Sequence, residues 1–378
     1  MTVVHRHGAR SPVHSSAETA RQLGLSVFGT CSLDVFFAKR LQPSTLPYVS
    51  VHNSLEQALE LAAQLKTSAE VPETTASDHI DGSNTAVNSS ISNTAVNSSI
   101  GNTAVNSSIG NTAANDPISS AARAKCQMGQ LTAAGKTSLQ QLGASLRTTY
   151  VSAGLLSARM DPSQMYLRST NVPRTIESLQ MLLHGLYPPQ HRSNSDPLHV
   201  HVRPASLESM YPEFSAKRCP SLVSFTAAVS HSLNHKHRIQ TERALAPFSM
   251  LHFPDSMSSG KRAYAIYDVL ASLKGNGLSF PPNIRHIHLK TLEEAIMNLW
   301  AGVYNHNENI TRTAIGRFLP EMTSHLVQSQ QGTQTNKIAI FSGHDSTLQP
   351  LLSALQIPQQ EFPQYSSNVN LLFTSRLS

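Results

Sequence analysis

Short β-prone runs, each followed by a polar turn and a helix-compatible segment, constrain the fold of this chain more than any other feature. Residues 2–5, 164–167 and 337–341 form three such runs, and residues 199–203 alternate as a further strand would. Strands that alternate with helices are typical of an α/β protein. The sequence therefore predicts an α/β fold.

The helical segments carry the spacing and the start signals that this prediction requires. In residues 131–150, Thr132 is a suitable N-cap and leucines recur behind it at helical spacing. A second helix is predicted from about 173 to 186, because Pro173 stands where a first helical turn tolerates proline. Residues 222–326 have a mostly helical pattern with breaks, and we expect a largely helical region there.

Composition excludes several classes of protein. The 378 residues include 29 Lys and Arg against 23 Asp and Glu, a net charge of +6, and only 14% of the chain is charged. A nucleic-acid partner is therefore not expected, since such proteins cluster Lys and Arg along one face. No run approaches the roughly 18 apolar residues of a membrane helix. Cys31, Cys126 and Cys219 allow one disulfide and match no zinc spacing, so no metal site is predicted.

The low charge has a local cause in a nine-residue repeat. NTAVNSSI begins at Asn84, Asn93 and Asn102, and a degenerate copy begins at Asn111. Repeats of this length can stack as a solenoid, but each copy offers at most one Val and one Ile, which makes a poor core. We therefore interpret residues 81–120 as a low-complexity insertion.

A cluster of charged groups follows the first predicted strand. Arg6, His7, Gly8 and Arg10 lie within five residues of one another. Guanidinium groups bind phosphate oxygens through paired hydrogen bonds, and nearby cations keep an imidazole neutral and nucleophilic. The alternative is an exposed basic turn at a chain end. These residues alone give the two interpretations equal weight.

A second cluster follows the predicted strand at 164–167. Arg168 stands beside Ser169 and Thr170, which are natural helix caps, and Arg174 follows in the predicted helix. A side chain between a strand end and a helix N-terminus faces the usual ligand side of an open α/β sheet. For Arg168, ligand binding and pairing with a structural carboxylate have equal weight. For Arg174, the structural pairing is the favoured interpretation.

A third junction of the same kind holds His344 and Asp345, directly after the apolar run at 337–341. An adjacent His and Asp at such a junction could bind an anion and donate a proton. The dipeptide alone is a weak signal, because the chain holds 18 His. Its position between a predicted strand and a predicted helix is what makes it a candidate site.

Taken together, the three clusters resemble the motifs of the histidine acid phosphatases, the larger branch of the histidine phosphatase superfamily. The first family motif, RHGxRxP, is matched at 6–12, the internal motif RST…R…S at 168–178, and the closing His-Asp at 344–345. The resemblance covers most of residues 3–48 and 126–373. Within the family, the chain looks most like lysophosphatidic acid phosphatases and 2-phosphoxylose phosphatases.

The resemblance implies a role for each matched residue. His7 is the nucleophile that attacks phosphorus and becomes phosphohistidine, and Asp345 protonates the leaving alkoxide. The implied ligands of the substrate phosphate are Arg6, Arg10, Arg168 and His344. Three guanidiniums can supply the charge neutralisation that Mg²⁺ supplies elsewhere, so neither a metal nor a cofactor is expected. Activity on the acid side of neutrality is expected, because a general acid must hold its proton.

The resemblance also implies an architecture. We expect a three-layer α-β-α sandwich around a central, mostly parallel sheet, similar to phosphoglycerate mutase, with a mainly helical cap over 206–329. Residues 1–378 are interpreted as a single domain truncated at both ends. The reason is that the family's first strand carries several residues before the motif and its last strands continue beyond Phe373.

The implied activity is hydrolysis of a small phosphomonoester, with lysophosphatidic acid or a sugar phosphate favoured over phytate. A broad-specificity phosphatase or mutase of the same superfamily is one alternative. A non-catalytic pseudophosphatase that binds a phospholigand is another. No transmembrane segment is expected. A secretory or organellar location is implied only by the resemblance, and the sequence leaves the compartment and the oligomeric state open.

Overall fold

The computed structural model describes residues 1–25, 28, 31, 48–51, 126–192, 198–333, 335–359 and 361–372. The repeat insertion predicted over 81–120 lies outside these residues. The strands within them are β1 (Thr2–Arg6), β2 (Tyr48–Val51), β3 (Met165–Ser169), β4 (Leu198–His201), β5 (Ile338–Gly343) and β6 (Asn368–Leu371). They form one sheet in the order β2-β4-β3-β5-β1-β6.

The centre of this sheet is parallel and its edges are antiparallel. Strand β5 pairs in parallel with both β1 and β3, and β3 pairs in parallel with β4. The edge strands β2 and β6 run antiparallel to β4 and β1. The carboxyl ends of β1, β3 and β5 therefore meet at one edge of the sheet, and the three sequence clusters lie at these ends or directly after them.

Helices precede, connect and follow the strands. Those in the described part of the chain are α1 (Ala17–Gln22), α2 (Ala133–Tyr150), α3 (Pro173–Leu186), α4 (Pro220–Lys236), α5 (Arg238–Leu245), α6 (Ser259–Gly275), α7 (His286–His306), α8 (Glu308–Ile315), α9 (Phe318–Gln330) and α10 (Asp345–Ala354).

The two helices predicted from leucine spacing and start signals are confirmed. Helix α2 begins after Thr132, whose side chain accepts a hydrogen bond from the Gly135 amide at 3.3 Å. Helix α3 begins at Pro173, the first-turn position that the sequence indicated. The strand predicted over 199–203 is β4, which ends two residues earlier at His201. Alternation of apolar and polar residues indicates that a strand exists, but it does not fix the residue at which the strand ends.

Helices cover both faces of the sheet, which makes the three-layer sandwich. Successive side chains of a strand point to opposite faces. Accordingly, Val3 packs with Leu167 of β3 and with Ile176 and other buried side chains of α2 and α3, and Val4 packs on the opposite face. The α/β prediction is confirmed, and the sheet has an apolar layer on each side.

Helices α2 and α3 touch through their backbones. A Cβ on Gly143 would collide with the Leu182 carbonyl, and a Cβ on Gly185 would collide with the Gln140 carbonyl. The reciprocal pair of glycines therefore allows the helices to cross at unusually short range. This contact fixes the last turns of α3 against the middle of α2.

The region between β4 and β5 is mainly helical, as the sequence indicated. Helices α6 and α7 form the centre of a second apolar core, with Ile266, Leu270 and Leu292 fully buried in it. Helix α9 falls within the predicted cap range of 206–329 but packs on the sheet instead, where Phe318 and Met322 contact the second face. Helix α9 therefore belongs to the layer that covers the second face of the sheet.

One disulfide joins Cys31 to Cys126, with 5.2 Å between the Cα atoms, and Cys219 remains a free thiol. This is one of the pairings that three cysteines left open. The bridge links two residues that are 95 positions apart and flank the segment containing the repeat. Among the residues described, no helix is long and apolar enough to cross a bilayer.

Candidate active site

The site lies at the carboxyl edge of the parallel strands, where the three sequence clusters converge. The His7 amide donates to the Gly343 carbonyl at 3.0 Å, and the Thr170 amide donates to the Ser342 carbonyl at 3.2 Å. These bonds continue the β1–β5 and β3–β5 ladders past the strand ends. They bring the ring of His7 to 5.6 Å from the ring of His344, measured between centroids.

His7 is a buried and neutral imidazole. Its Nδ1 lies 2.9 Å from the Gly8 carbonyl oxygen, which can only accept, so Nδ1 carries the proton and Nε2 keeps a lone pair. Burial lowers the pKa of His7 well below its ordinary value, and the positive charges of Arg174, Arg6 and Arg10 lower it further. The arrangement therefore presents a neutral imidazole nitrogen with an available lone pair.

The loop that carries His7 rests directly on the first turn of α2. A Cβ on Gly8 would collide with the Gly135 carbonyl, and a Cβ on Gly135 would collide with the backbone of Ala9. The Gly8 amide also donates to Ser178 Oγ of α3 at 3.1 Å. The glycine of the RHG motif is therefore required for close backbone approach.

Arg6 reaches from the end of β1 to the start of α10. Its Nη2 lies 2.8 Å from Oδ2 of Asp345, and its Nη1 donates to the Pro363 carbonyl. The guanidinium also lies over the ring of Tyr365, with 4.4 Å between Cζ and the ring centroid. Its Nε is buried and has no hydrogen-bond partner among the described residues.

Arg10 is held by a buried carboxylate that the sequence did not single out. Its Nη2 lies 2.8 Å from Oδ1 of Asp268 on α6, whose Oδ2 accepts from the Val13 amide at 3.0 Å. Burial opposes the charge on Arg10, but Asp268 and the nearby Tyr365 and Tyr264 outweigh it and raise the pKa of Arg10. Asp268 therefore keeps this guanidinium charged and oriented.

Arg174 is the functional candidate that sequence reasoning assigned to a structural role. It stands in the first turn of α3, and its buried Nε has no partner within the described part of the chain. Burial and the charge of Arg10 lower its pKa to about 10, so it stays charged at neutral pH. Its charge lowers the pKa of His7 more than those of Arg6 and Arg10 do. The available signal was its place at a helix N-terminus behind a strand end.

Arg168 does not join this group. It is fully buried in β3, where its Nη2 lies 2.6 Å from Glu208 Oε1 and its Nε lies 3.2 Å from Glu321 Oε1. Strand alternation turns the side chain toward the layer that contains α9, where two carboxylates bind it. Arg168 was predicted to bind the substrate phosphate, and in this structure it forms the buried ion pair that was the other interpretation.

His344 lies next to His7 in the site. Its Nε2 lies 2.9 Å from Thr170 Oγ1, and its backbone amide donates to Thr347 Oγ1 at 3.0 Å in the first turn of α10. Burial lowers the pKa of His344 to about 3, with Arg174 as the largest charged contributor. The second ring of the site is therefore neutral as well.

Asp345 is the first residue of α10 and one of the site's two carboxylates. Burial raises its pKa, but Arg6, Arg10 and His344 outweigh burial, and the net effect lowers it. Its Oδ1 accepts from the Ser346 amide at 2.7 Å. The carboxyl is therefore ionised while Arg6 is its partner, and any anion that competes for Arg6 will raise its pKa.

Fold and site together define an α/β protein whose strand edge surrounds a neutral histidine with cations. The profile of the histidine phosphatase superfamily, branch 2, matches residues 1–378. The chain belongs to this superfamily. No cluster of three or more potential metal ligands occurs in the ranges that the structure describes.

Similar proteins agree with this assignment. A probable acid phosphatase of Schizosaccharomyces pombe is 24% identical over 257 residues, which are 65% of this chain and 55% of that protein. Lysophosphatidic acid phosphatase type 6 of Bos taurus is 26% identical over 249 residues, which are 64% of this chain and 56% of that protein. The chain thus spans little more than half the length of these relatives.

Among solved structures, a phytase of Klebsiella sp. ASR1 has the same fold. It superposes with a TM-score of 0.56 at 11% identity, over 98% of this chain and 74% of the phytase. The structural similarity establishes the fold, and the sequence identity is too low to indicate the substrate.

Proposed function

We propose that this protein hydrolyses phosphomonoesters through a phosphohistidine on His7, with Asp345 as the proton donor. The observation that carries the proposal is a neutral, buried histidine among three arginines whose Nε atoms are buried and unpartnered within the described residues. These arginines, Arg6, Arg10 and Arg174, outnumber the carboxylates paired with them, Asp268 and Asp345. A phosphate dianion supplies the missing negative charge and accepts from the free donors.

In the first step, the lone pair of His7 Nε2 attacks phosphorus and the bond from phosphorus to the ester oxygen breaks. The leaving alkoxide takes the proton of Asp345. In the second step, water attacks the phosphohistidine, Asp345 takes a proton from that water, and the P–N bond returns its electron pair to Nε2. The products are an alcohol and inorganic phosphate. Dividing the reaction in this way replaces one difficult displacement with two easier ones.

The proton on Asp345 depends on the substrate. Arg6 lowers the pKa of Asp345 in the free protein, which is unfavourable for an acid. A phosphate dianion that binds Arg6 and Arg10 neutralises their pull and raises this pKa, so the carboxyl gains its proton as the complex forms. The same coupling favours activity on the acid side of neutrality.

The phosphate ligands are Arg6, Arg10, Arg174 and His344 in this proposal. Arg174 takes the place that the sequence gave to Arg168, because its charge acts most strongly on His7. The neutral imidazole of His344 has one N–H, which an equatorial oxygen would accept in place of Thr170 Oγ1. Guanidiniums aimed at the three oxygens stabilise the charge that spreads over them in the transition state.

For the substrate, we propose an amphiphilic phosphomonoester such as lysophosphatidic acid, with a sugar phosphate as the second choice. The segment between β4 and α4 brings the Tyr211 ring to 5.8 Å from the His344 ring. The same segment carries Leu207 and Phe214, which are 61% and 53% exposed. Exposed apolar side chains on a segment that reaches the site suit an acyl chain better than a sugar. The name of the bovine relative supports the same choice.

The test is phosphate release from p-nitrophenyl phosphate between pH 4 and 7 by the wild type, His7→Ala and Asp345→Asn. We expect no turnover by His7→Ala. Asp345→Asn should lose far more activity on an alkyl phosphate than on p-nitrophenyl phosphate, whose leaving group needs no proton. General acids contribute about 10²- to 10⁴-fold. Equal release by the wild type and His7→Ala would refute the proposal. The ratio of kcat/KM for lysophosphatidic acid and glucose 6-phosphate then decides between the substrates.

A further inference from the structure

A short strap formed by residues 362–367 crosses the loop that carries the RHG motif. The Arg6 amide donates to the Ser367 carbonyl at 2.9 Å, and the Ser366 amide donates to the His7 carbonyl at 3.1 Å. The Pro363 carbonyl accepts from Arg6 Nη1. The strap is therefore bonded to the backbone and to the side chain of the loop.

Tyr365 is the residue of the strap that lies among the charged groups. The centroid of its ring is 4.4 Å from Cζ of Arg6, 5.7 Å from Cζ of Arg10 and 5.8 Å from the ring of His7. Both guanidiniums are within the 6 Å over which a ring face attracts a cation. One ring thus contacts two of the proposed phosphate ligands.

Neighbouring elements fix the position of this ring. Tyr365 Oη lies 3.3 Å from Ser272 Oγ on α6. The Tyr365 ring also fills the space that a Cβ on Gly275 would occupy. The ring is therefore held at its edge, while its face stays directed at the guanidiniums.

The next residue adopts a backbone conformation that is costly for a residue with a Cβ. Ser366 has φ +63°, in the left-handed region that side chains disfavour. Its amide is bound to the His7 carbonyl, and its Oγ lies 2.7 Å from Ser138 Oγ of α2. Such outliers persist where the surroundings determine them, and they occur preferentially at functional sites.

We propose that Tyr365 is a positioning residue for Arg6 and Arg10. Two guanidiniums beside one anion site repel each other while the site is empty, and the negative face of the Tyr365 ring offsets that repulsion. It also orients the guanidiniums, so that their donors are in place before the phosphate arrives. This inference rests on the proposed function for the identity of the anion, but the placement of the ring can be tested by binding alone.

The test is a graded weakening of the ring face at constant shape. Tyr365→Phe is compared with 4-fluorophenylalanine and 3,4,5-trifluorophenylalanine placed at position 365, and the dissociation constant for inorganic phosphate is measured by calorimetry. We expect Tyr365→Phe to stay within about twofold of the wild type. The trifluoro ring should weaken phosphate binding about tenfold, as loss of a desolvated cation–π contact predicts. The value of kcat/KM should fall in parallel.

The matched control is trifluorophenylalanine at position 280, where Phe280 packs against His286 at 4.8 Å; phosphate binding should be unchanged there. Equal dissociation constants for phosphate across the fluorinated variants would overturn the role of Tyr365. A loss of phosphate affinity in Tyr365→Phe as large as that in the trifluoro variant would overturn it as well. If the wild type binds phosphate but hydrolyses no phosphomonoester, the proposed function fails. A graded loss of phosphate binding would still support the positioning role in that case.

Discussion

Arg168 and Arg174 are six positions apart, and their surroundings lead us to propose different functions for them. Arg168 is enclosed with Glu208 and Glu321 in the sandwich. Arg174 lies beside His7, and no carboxylate of the described residues forms an ion pair with it. A guanidinium with two carboxylate partners stabilises the fold. One that has no carboxylate partner keeps its charge available for an anion.

Substitution separates the two functions. We expect Arg174→Gln to lower kcat/KM about 10- to 100-fold, since a hydrogen bond to a charged group contributes about 1.5–3 kcal/mol. Its free energy of unfolding should change little. Arg168→Gln should cost about 3–5 kcal/mol of stability, because it leaves Glu208 as an uncompensated buried charge. Steady-state kinetics and urea denaturation measure the two effects. A loss of activity in folded Arg168→Gln that exceeds the loss in Arg174→Gln would contradict this division.

The sequence was informative about residues whose position follows from a strand end. Arg6, His7 and Arg10, like His344 and Asp345, follow parallel strands whose carboxyl ends meet, so local pattern alone brings them together. Arg174 depends on how α3 is rotated against α2. Arg168 depends on which face of β3 it points to. Neither property can be read from a motif without the packing partners.

At the scale of elements, leucine spacing and capping signals identified α2 and α3 because those signals act locally. The layer to which a helix belongs was harder to predict from the sequence. Helix α9 follows other helices in the chain, so it was grouped with them, yet Phe318 and Met322 pack on the sheet. Membership in a layer is decided by tertiary contacts, and the sequence pattern shows only that an apolar face exists.

The backbone contact between α2 and α3 should be intolerant of a single methyl group. Gly143→Ala places its Cβ against the Leu182 carbonyl, so the helices must separate. We expect a loss of about 1–3 kcal/mol in the free energy of unfolding, as for other overpacked sites. Ser145→Ala is the control, since Ser145 is exposed on the same helix and should change stability by less than about 0.5 kcal/mol. Equal stability of the two variants in urea denaturation would refute the contact.

At the scale of the whole molecule, buried titratable groups give stability two opposite dependences on pH. Burial lowers the pKa of His5 from 6.5 to about 4. The unfolded chain therefore takes up a proton first, and stability falls as pH drops from 6.5 toward 4. Burial raises the pKa of Glu177 from 4.5 to about 8, against the opposing charge of Lys136. The folded chain keeps this proton longer, so stability falls as pH rises through that window.

Removing the carboxyl of Glu177 should abolish the fall in folding stability at the higher pH values. In Glu177→Gln, we expect stability to lose its decline between about pH 5 and 8, a slope of at most about 1.4 kcal/mol per pH unit for one proton. Urea denaturation at pH 5, 6.5 and 8 measures it. Glu294→Gln removes an exposed carboxyl and should leave the slope as in the wild type. An unchanged slope in Glu177→Gln would show that Glu177 does not retain its proton in the folded chain.

The most direct test of the proposed chemistry is to trap the phosphoenzyme. The protein is mixed with a ³²P-labelled phosphomonoester, quenched in alkali, digested, and the labelled peptide is identified in the wild type and in His7→Ala. We predict an alkali-stable, acid-labile label on the peptide that contains His7, and no label and no phosphate release in His7→Ala. A label on any other residue, or wild-type phosphate release by His7→Ala, would contradict a phosphohistidine mechanism at this site.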